Sequence, residues 1–370
     1  MIRKVQSIKE EENDFYSDDD LFKISSWGAD LSFRELIQRY EDDELVKPEL
    51  QRKYIWDKTE ASRFIDSLLL GLPVPSIFLA KTPDEKLLIV DGYQRIMTVY
   101  DYVRGIFAGD NKIFKLSNSE KINPKWRGKA FSELTDTEQR KIRNTTIHAI
   151  IFLQQHPTDD DTSLYQVFER INTSGRTLMS QEIRNCVYQG NFNSLLFELN
   201  KLPNWRILFD SNDEDHRMRD IELILRFFAL SSPEFEALKH GNISLKKFLN
   251  QFMGKFTKSS DAQIEEFRSR FTNCINFIYQ NIRENAFNNI SSTIPGKFSP
   301  IFSPTIFDSI TIATDQLMQA GFTFQLASIQ DNRNELLHDE EYKFSITKET
   351  MRKEAIQKRI QKVKTLLYKA

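Results

Sequence analysis

The sequence has few cysteines, no long apolar run and little net charge, and each absence excludes a class of protein. Its two cysteines, Cys186 and Cys274, lie far apart and form no metal-ligand pattern, so we expect buried thiols in a reducing compartment. No apolar run approaches the roughly 18 residues of a membrane span. The polar, acidic N-terminus also lacks the apolar core of a signal peptide. We therefore expect a cytoplasmic protein with no membrane partner.

The charge balance and the missing motifs narrow the function further. A formal net charge of -2 excludes nucleic-acid binding through general positive charge, although a local basic surface remains open. None of the three Gly-Lys dipeptides is followed by Ser or Thr, so the chain has no P-loop. A nucleotide, if one binds, needs a phosphate-binding site of another kind.

The patterns that are present predict an α+β fold in which strands and helices occupy different parts of the chain. The 370 residues, of which 40% are apolar, are enough for more than one packed domain. Residues 1–20 are predicted to form a flexible, frayed acidic arm. Strand and helix patterns share residues 21–190, whereas residues 191–370 are predicted to be mainly helical, with a long loop at 285–304.

Two helix starts can be placed from local chemistry. Ser32 with Glu35 three residues later, and Asp57 with Glu60, both have the spacing of a capping box. The second helix is predicted to end at Gly71, because the prolines that follow prevent its continuation.

The stretch LLIVDGYQRIMTVYDYVRG, residues 87–105, predicts a strand that runs directly into a helix. The LLIV run does not alternate, so both faces of the strand should be buried. Asp91 is then placed at the carboxyl end of the strand, where ligands of such units collect. Gly92 allows a sharp turn. The free N–H groups of the first helical turn would favour an anion.

Arg95 is unusual in this position, because a cation in the first turn loses roughly 0.3–1 kcal/mol against the helix dipole. A phosphate held between the guanidinium and the backbone N–H groups would remove that loss, and Gln94 also leans toward this end. Asp91 would then hold a Mg²⁺ ion or orient a water molecule. The alternative is a simple ion pair between Asp91 and Arg95 that fixes the turn, and the residues alone leave both readings open.

Several motifs in order resemble a known family. They are QRKYIW at residues 51–56, Gly-x-Pro-x-Pro from Gly71, DGYQR at residues 91–95 and a block from Phe168 to Arg184. Together they resemble the N-terminal domain of GmrSD-type modification-dependent restriction systems, which is related to the ParB/sulfiredoxin-like fold. In that family the domain is associated with nucleotide binding and hydrolysis that powers or regulates cleavage of modified phage DNA.

The resemblance implies a nucleoside triphosphate site with a tentative Mg²⁺ cofactor at Asp91. Residues with implied catalytic roles are Asp91, Gln94 and Arg95. Residues implied to bind the nucleotide or its phosphates are Gln51, Arg52, Gly92, Tyr93, Asn172 and Thr173. The structural alternatives are a salt bridge from Arg52 to an acid such as Asp66, and ordinary turn chemistry for Asn172 and Thr173.

One residue departs from the family motif, which has glutamine where this chain has Tyr93. A tyrosine ring could stack on a base or donate a hydrogen bond, but it cannot present an amide.

The five histidines do not form the His…Asn…His context of an HNH nuclease, so we expect a standalone form without the usual nuclease domain. Such a form either acts with a separate nuclease subunit or does not share the endonuclease role of its relatives. Two other functions are open from the sequence. One is a non-enzymatic module that senses modified DNA. The other is a ParB-like, metal-dependent nuclease.

Overall fold

The structure is a computed structural model, and it describes residues 4–12, 14, 24–46, 56–82, 84–154, 162–171, 179–294 and 296–370. Four predicted binding residues lie outside the described residues: Gln51, Arg52, Asn172 and Thr173.

Strands and helices share the first half of the chain. In order, its elements are α1 (Lys9–Glu12), β1 (Ile24–Ser32), α2 (Phe33–Glu41), β2 (Leu45–Val46), α3 (Lys58–Leu70), β3 (Ile77–Lys81), β4 (Leu87–Asp91), α4 (Tyr93–Arg104), β5 (Ile106–Phe107), β6 (Lys112–Ile113), α5 (Asp136–Asn144), β7 (Thr146–Gln154), α6 (Thr162–Ile171) and α7 (Ser180–Val187).

A five-stranded mixed sheet organises this half, with strand order β1-β7-β3-β4-β2 among the described residues. The β1–β7 and β3–β4 pairs are antiparallel, while β3–β7 and β2–β4 are parallel. The fold is therefore mixed α and β.

Both predicted helix starts are confirmed. The Ser32 hydroxyl accepts a hydrogen bond from the Glu35 N–H at 3.2 Å. Asp57 accepts from the N–H groups of Thr59 and Glu60. The Asp57 N–H in turn donates to the Glu60 carboxylate at 3.0 Å, which completes the capping box. That helix ends at Gly71, whose left-handed backbone angle of φ 82° suits glycine.

Both faces of β4 are buried, as its unbroken apolar run predicted. Leu87 and Ile89 belong to an apolar cluster that includes α2 to α5. Leu88 and Val90 belong to a second cluster on the opposite face, which includes α6 and α7. The sheet is thus the shared wall of two cores.

Helices dominate the second half, as predicted. They are α8 (Asn191–Leu199), α9 (Pro203–Phe209), α10 (Arg219–Leu230), α11 (Pro233–Glu236), α12 (Leu245–Phe256), α13 (Asp261–Asn281), α14 (Pro304–Gln319), α15 (Ile329–His338), α16 (Glu340–Thr347) and α17 (Lys353–Lys362). We refer to residues 191–370 as the helical half.

The loop predicted at residues 285–304 is wrong in part. Two short antiparallel strands, β8 (Asn288–Ile290) and β9 (Phe298–Phe302), form a ribbon there. The pattern was missed because β9 contains Pro300, a residue usually taken as evidence against a strand.

The N-terminal arm makes defined contacts at residues 4–12 and Asp14, which we call the strap. The Gln6 N–H donates to the Phe302 carbonyl at 2.8 Å, and the Phe302 N–H donates to the Lys4 carbonyl at 3.0 Å. The Glu11 carboxylate accepts two hydrogen bonds of 2.8 Å from Arg226. Such partners are more than 200 positions away, so no local pattern reveals them.

The second apolar cluster runs from the sheet through α6 and α7 into the helices that follow residue 190. The hydrophobic packing is therefore continuous across the predicted domain boundary, and the division at that residue stays a prediction. Cys186 and Cys274 are buried free thiols in this cluster. No helix in the described parts of the chain is both long and apolar enough to cross a membrane.

Candidate functional site

The candidate site lies at the junction of β4 and α4. Asp91 is the last residue of β4 and pairs with Phe78 of β3, next to a bulge in that strand. Its side chain is 39% exposed, in contrast to the four buried residues that precede it. The carboxylate is therefore presented at the carboxyl end of the strand, as predicted.

Gly92 forms the turn because no other residue fits there. Its φ is +101°, in the left-handed region that side chains disfavour. A Cβ atom at this position would lie 2.2 Å from Cγ2 of Ile77. The close approach of the turn to β3 thus requires glycine.

The N-terminus of α4 carries no side-chain cap within the described residues, and its first turn contains no acid. The first intrahelical bond runs from the Ile96 N–H to the Gly92 carbonyl at 3.0 Å. The amides that precede Ile96 point out of the helix end. They give this terminus a partial positive charge that suits an anion.

Arg95 is held by three acceptors beside this helix end. Its Nη2 donates to Oδ2 of Asp91 at 2.5 Å, and its Nη1 donates to the carbonyls of Pro75 and Ser76, both at 2.9 Å. Its side chain is 12% exposed. The ion pair between Asp91 and Arg95, one of the two possibilities that the sequence left open, is therefore present. The bonds from Arg95 to the two carbonyls attach the turn to the segment that precedes β3.

The ion pair does not use the whole of either group. Two of the five guanidinium N–H groups, the Nε–H and one on Nη2, have no hydrogen-bond partner among the described residues. Asp91 has only Oδ2 engaged in the same part of the chain. The guanidinium also neutralises the carboxylate, so the repulsion that Asp91 would exert on a phosphate is reduced.

Gln94 brings two of the sequence motifs together. Its Oε1 accepts a hydrogen bond from the Trp56 N–H at 3.3 Å. The Trp56 ring packs edge-on against Phe64 of α3, with 5.6 Å between ring centroids. The last residue of the Gln-Arg-x-Tyr-x-Trp motif thus lies against the Asp-Gly-x-Gln-Arg motif, although 38 positions separate the two bonded residues.

The side chain of Tyr93 lies in the core rather than on the surface of the junction. The side chain is only 6% exposed and is part of the apolar cluster beneath α4. Burial raises the pKa of its phenol well above the usual value, followed by smaller effects of Tyr40 and Asp101. Tyr93 therefore supports α4 from below, and its contact with a base stays a prediction.

Asp101 is a buried acid that the sequence analysis missed. Burial raises the pKa of its carboxyl to about 6, and a hydrogen bond from the Ala108 N–H at 2.9 Å opposes that rise. A signal was present in the sequence, because Asp101 follows Tyr93 and Met97 at intervals of four on the buried face of α4. Its bond to Ala108 secures the turn after the helix.

The two described ends of the block from Phe168 to Arg184 contact the helical half. Phe168 is fully buried in the second cluster. Arg184 is buried as well; its Nε donates to Asn250 at 2.8 Å, and its Nη1 donates to Gln181 at 2.9 Å and Glu222 at 2.8 Å. The two ends of the block are therefore buried and contribute to packing. Asn172 and Thr173, between them, lie outside the described residues.

Asp91 would supply one carboxylate ligand to a Mg²⁺ ion at the junction. No group of three or more His, Cys, Asp or Glu side chains that could hold a metal occurs in the described residues. Mg²⁺ is commonly held by one or two carboxylates together with substrate phosphates and water, so Oδ1 of Asp91 fits such a site when a nucleotide supplies the remaining ligands.

Residues 33–189 match the family model of the GmrSD restriction endonuclease N-terminal domain. This segment is therefore similar to GmrSD N-terminal domains. The assignment covers less than half of the chain and includes the whole β4–α4 junction. It confirms the family that the motifs indicated and relates the chain to restriction systems. No curated protein and no solved structure matched the chain.

Proposed function

We propose that this chain binds a nucleoside triphosphate at the β4–α4 junction and hydrolyses it within a restriction system that acts against phage. The observation that carries the proposal is the N-terminus of α4, which no side chain of the described residues caps, with a guanidinium and a half-exposed carboxylate beside it. A separate nuclease subunit would cut the DNA, and modified DNA would be the target. We also infer a ParB/sulfiredoxin-like fold for the domain, supported by the mixed sheet with helices on both faces.

Each residue of the junction has a role in this proposal. The backbone amides at the start of α4 and the two remaining N–H groups of Arg95 bind phosphate oxygens. Gln94, placed by its bond to Trp56, lies beside them. Asp91 orients the water that attacks the γ-phosphorus, and the bond from that phosphorus to the β-phosphate oxygen breaks. Mg²⁺, when bound at Asp91 Oδ1, offsets phosphate charge.

The existing ion pair is compatible with this role because it places the guanidinium in advance. A side chain already held by Asp91 and two carbonyls loses little rotational freedom when a phosphate binds. Phosphoryl transfer depends mainly on positioning and charge stabilisation, which such a rigid arrangement provides.

The test measures the affinity of the full-length protein for ATP, GTP, CTP and UTP with Mg²⁺. A hydrogen bond to a charged group is worth roughly 1.5–3 kcal/mol, so Arg95→Ala should weaken binding about ten- to a hundredfold. Arg95→Lys, which keeps the charge but not the planar fork, should give an intermediate loss. Equal affinity in Arg95→Ala and the parent would contradict the assignment.

A matched control separates local from general effects. Arg104 lies at the other end of α4, where its exposed side chain pairs with Glu41. Arg104→Ala should leave nucleotide affinity unchanged. Thermal unfolding of all variants shows whether the loss of the hydrogen bonds from Arg95 to the two carbonyls has unfolded the domain. If Arg95→Ala is unfolded, the affinity of Arg95→Lys is compared with that of the parent instead.

The same protein samples distinguish the other two functions. Retention of modified DNA with no nucleotide binding or turnover would favour a non-enzymatic sensing module. Metal-dependent nicking of DNA that is lost in Asp91→Ala would favour a ParB-like nuclease.

A further inference from the structure

The strap places a carboxylate on a buried guanidinium of the helical half. Both oxygens of Glu11 accept from Nη1 of Arg226 at 2.8 Å. Arg226 also donates to Asp308, at 3.1 Å from Nε and 2.5 Å from Nη2. Asp308 in turn accepts from Arg359 at 3.4 Å. Arg226, Asp308 and Arg359 are almost completely buried, so this is an interior charge cluster.

Without the strap, this cluster has an excess of positive charge. The helices supply two guanidinium groups, Arg226 and Arg359, and one carboxylate, Asp308. Glu222, on the same helix as Arg226, is engaged with Arg184. An unpaired buried charge is strongly unfavourable, so the cluster needs one more anion. The strap supplies it as Glu11.

Two further acids of the strap meet groups that prefer an anion. Glu10 Oε2 accepts from the Thr350 hydroxyl at 2.7 Å and from the Met351 N–H at 3.2 Å. Asp14 Oδ2 accepts from the Lys246 N–H at 2.8 Å, in the first turn of α12. The surface that faces the strap, which we call the groove, therefore binds three carboxylates at the spacing Glu-Glu-x-x-Asp. Its donors are Arg226, Thr350, Met351 and Lys246.

Backbone pairing sets the position of the segment. Val5 forms a parallel bridge with Phe302, so the strap extends the β8–β9 ribbon. Strand addition provides affinity through the main chain, while side chains at fixed offsets provide specificity. The strap thus combines a strand with three specific acids, as separate peptide ligands do.

The strap is not closely packed along its whole length. A cavity of about 580 Å³ lies between the strap and the facing segments 241–243 and 349–352, and Glu10 and Asp14 form part of its wall. A segment that borders open space on one side has fewer contacts to lose when it leaves, so its local opening costs less than the unfolding of a core element.

We propose that this groove is a recognition site for an acidic peptide segment, filled by the chain's own strap and able to take the strap of a second copy of the chain. Charge complementarity selects the occupant. The groove needs a carboxylate at Arg226 and two more at the flanking donors, and the strap of a second copy carries all three at the same spacing. Exchange of the segment would join two chains without a new interface in either. The proposal does not depend on nucleotide binding.

The experiment adds a fluorescent peptide of residues 1–16 to the full-length protein and measures anisotropy. In a Glu11→Gln chain the resident strap has lost its ion pair, so the parent-sequence peptide should bind this chain at least about tenfold more tightly than it binds the parent chain. A peptide with Glu11→Gln should bind neither chain measurably. A peptide of the same composition, with the positions of its acids shuffled, should also bind neither chain measurably.

Three results would overturn the proposal: no peptide binding to the folded Glu11→Gln chain, equal binding to both chains, or equal binding of the shuffled peptide. Circular dichroism establishes that the variant is folded. If it is not, Glu10→Gln, which weakens the strap outside the charge cluster, replaces it with the same expected order of affinities. Two differently labelled samples of the parent chain, mixed at high concentration, should also develop energy transfer. Its absence would exclude exchange between copies.

Discussion

At the residue scale, the junction depends on one glycine and one ion pair. Gly92 lets β4 turn into α4 against Ile77, and Arg95 ties that turn to Asp91 and to two carbonyls. The two residues place the amides of α4, the guanidinium and the carboxylate in one location. The chemistry proposed for the site is therefore inseparable from the backbone angle of Gly92.

Gly92→Ala is expected to destabilise the protein by about 2–4 kcal/mol, because a left-handed alanine is strained and the new methyl group overlaps Ile77. Chemical denaturation measures the loss. Gly105→Ala is the matched control, since Gly105 has φ +87° at the other end of α4 but nothing within 4 Å of the added carbon. It should cost only about 1–2 kcal/mol. Equal losses at the two positions would show that contact with Ile77 is unimportant.

At the element scale, α3 and α4 hold the site from two sides. The capping box of α3 fixes residues 56–57, and the Trp56 N–H then reaches Gln94 of α4. The side chain of Gln94 is thus positioned by the start of a different helix.

Asp57→Ala removes the acceptor for two N–H groups of α3 and should lower the free energy of unfolding by about 1–2 kcal/mol. The same variant should weaken nucleotide binding modestly, since the bond from Trp56 to Gln94 becomes less well placed. Denaturation and nucleotide titration of one sample provide both values. Thr135→Ala removes the cap of α5, a helix that contributes none of the residues described at the junction, and is expected to lower stability without changing affinity. Loss of affinity in Thr135→Ala of the same size as in Asp57→Ala would contradict this path.

At the scale of the whole molecule, one sheet separates two apolar cores and one charge cluster lies inside the second. Arg226 of α10, Asp308 of α14 and Arg359 of α17 meet there with Glu11 of the strap. Four parts of the chain that are far apart in sequence are connected by charges that none of them could bury alone.

Asp308→Ala is expected to destabilise the fold by about 3–5 kcal/mol, because it leaves two guanidinium groups buried beside a single carboxylate. Arg268→Ala is the control, since that side chain pairs with Glu198 on the surface and should contribute about 0–1 kcal/mol. Thermal and denaturant unfolding compare the two. A loss in Asp308→Ala no larger than in Arg268→Ala would mean that the cluster does not need its internal anion.

Local chemistry explains which predictions were confirmed. The caps at Ser32 and Asp57, the strand LLIV and the turn at Gly92 involve contacts within four positions or a burial pattern within one strand. The family motifs added the identity of the segment 33–189. The roles of the site residues in nucleotide chemistry stay predictions.

Neighbouring residues were enough to predict where a strand meets a helix, with a carboxylate, an amide and a guanidinium at the meeting point. Three other features depend on long-range packing: Arg95 binds the carbonyls of Pro75 and Ser76, Tyr93 faces the core, and the helical half binds the acids at the N-terminus. The physical reason is distance along the chain. Hydrogen bonds within a turn follow from neighbouring residues, whereas the partner of a buried charge is chosen by the packing of elements that the local sequence does not specify.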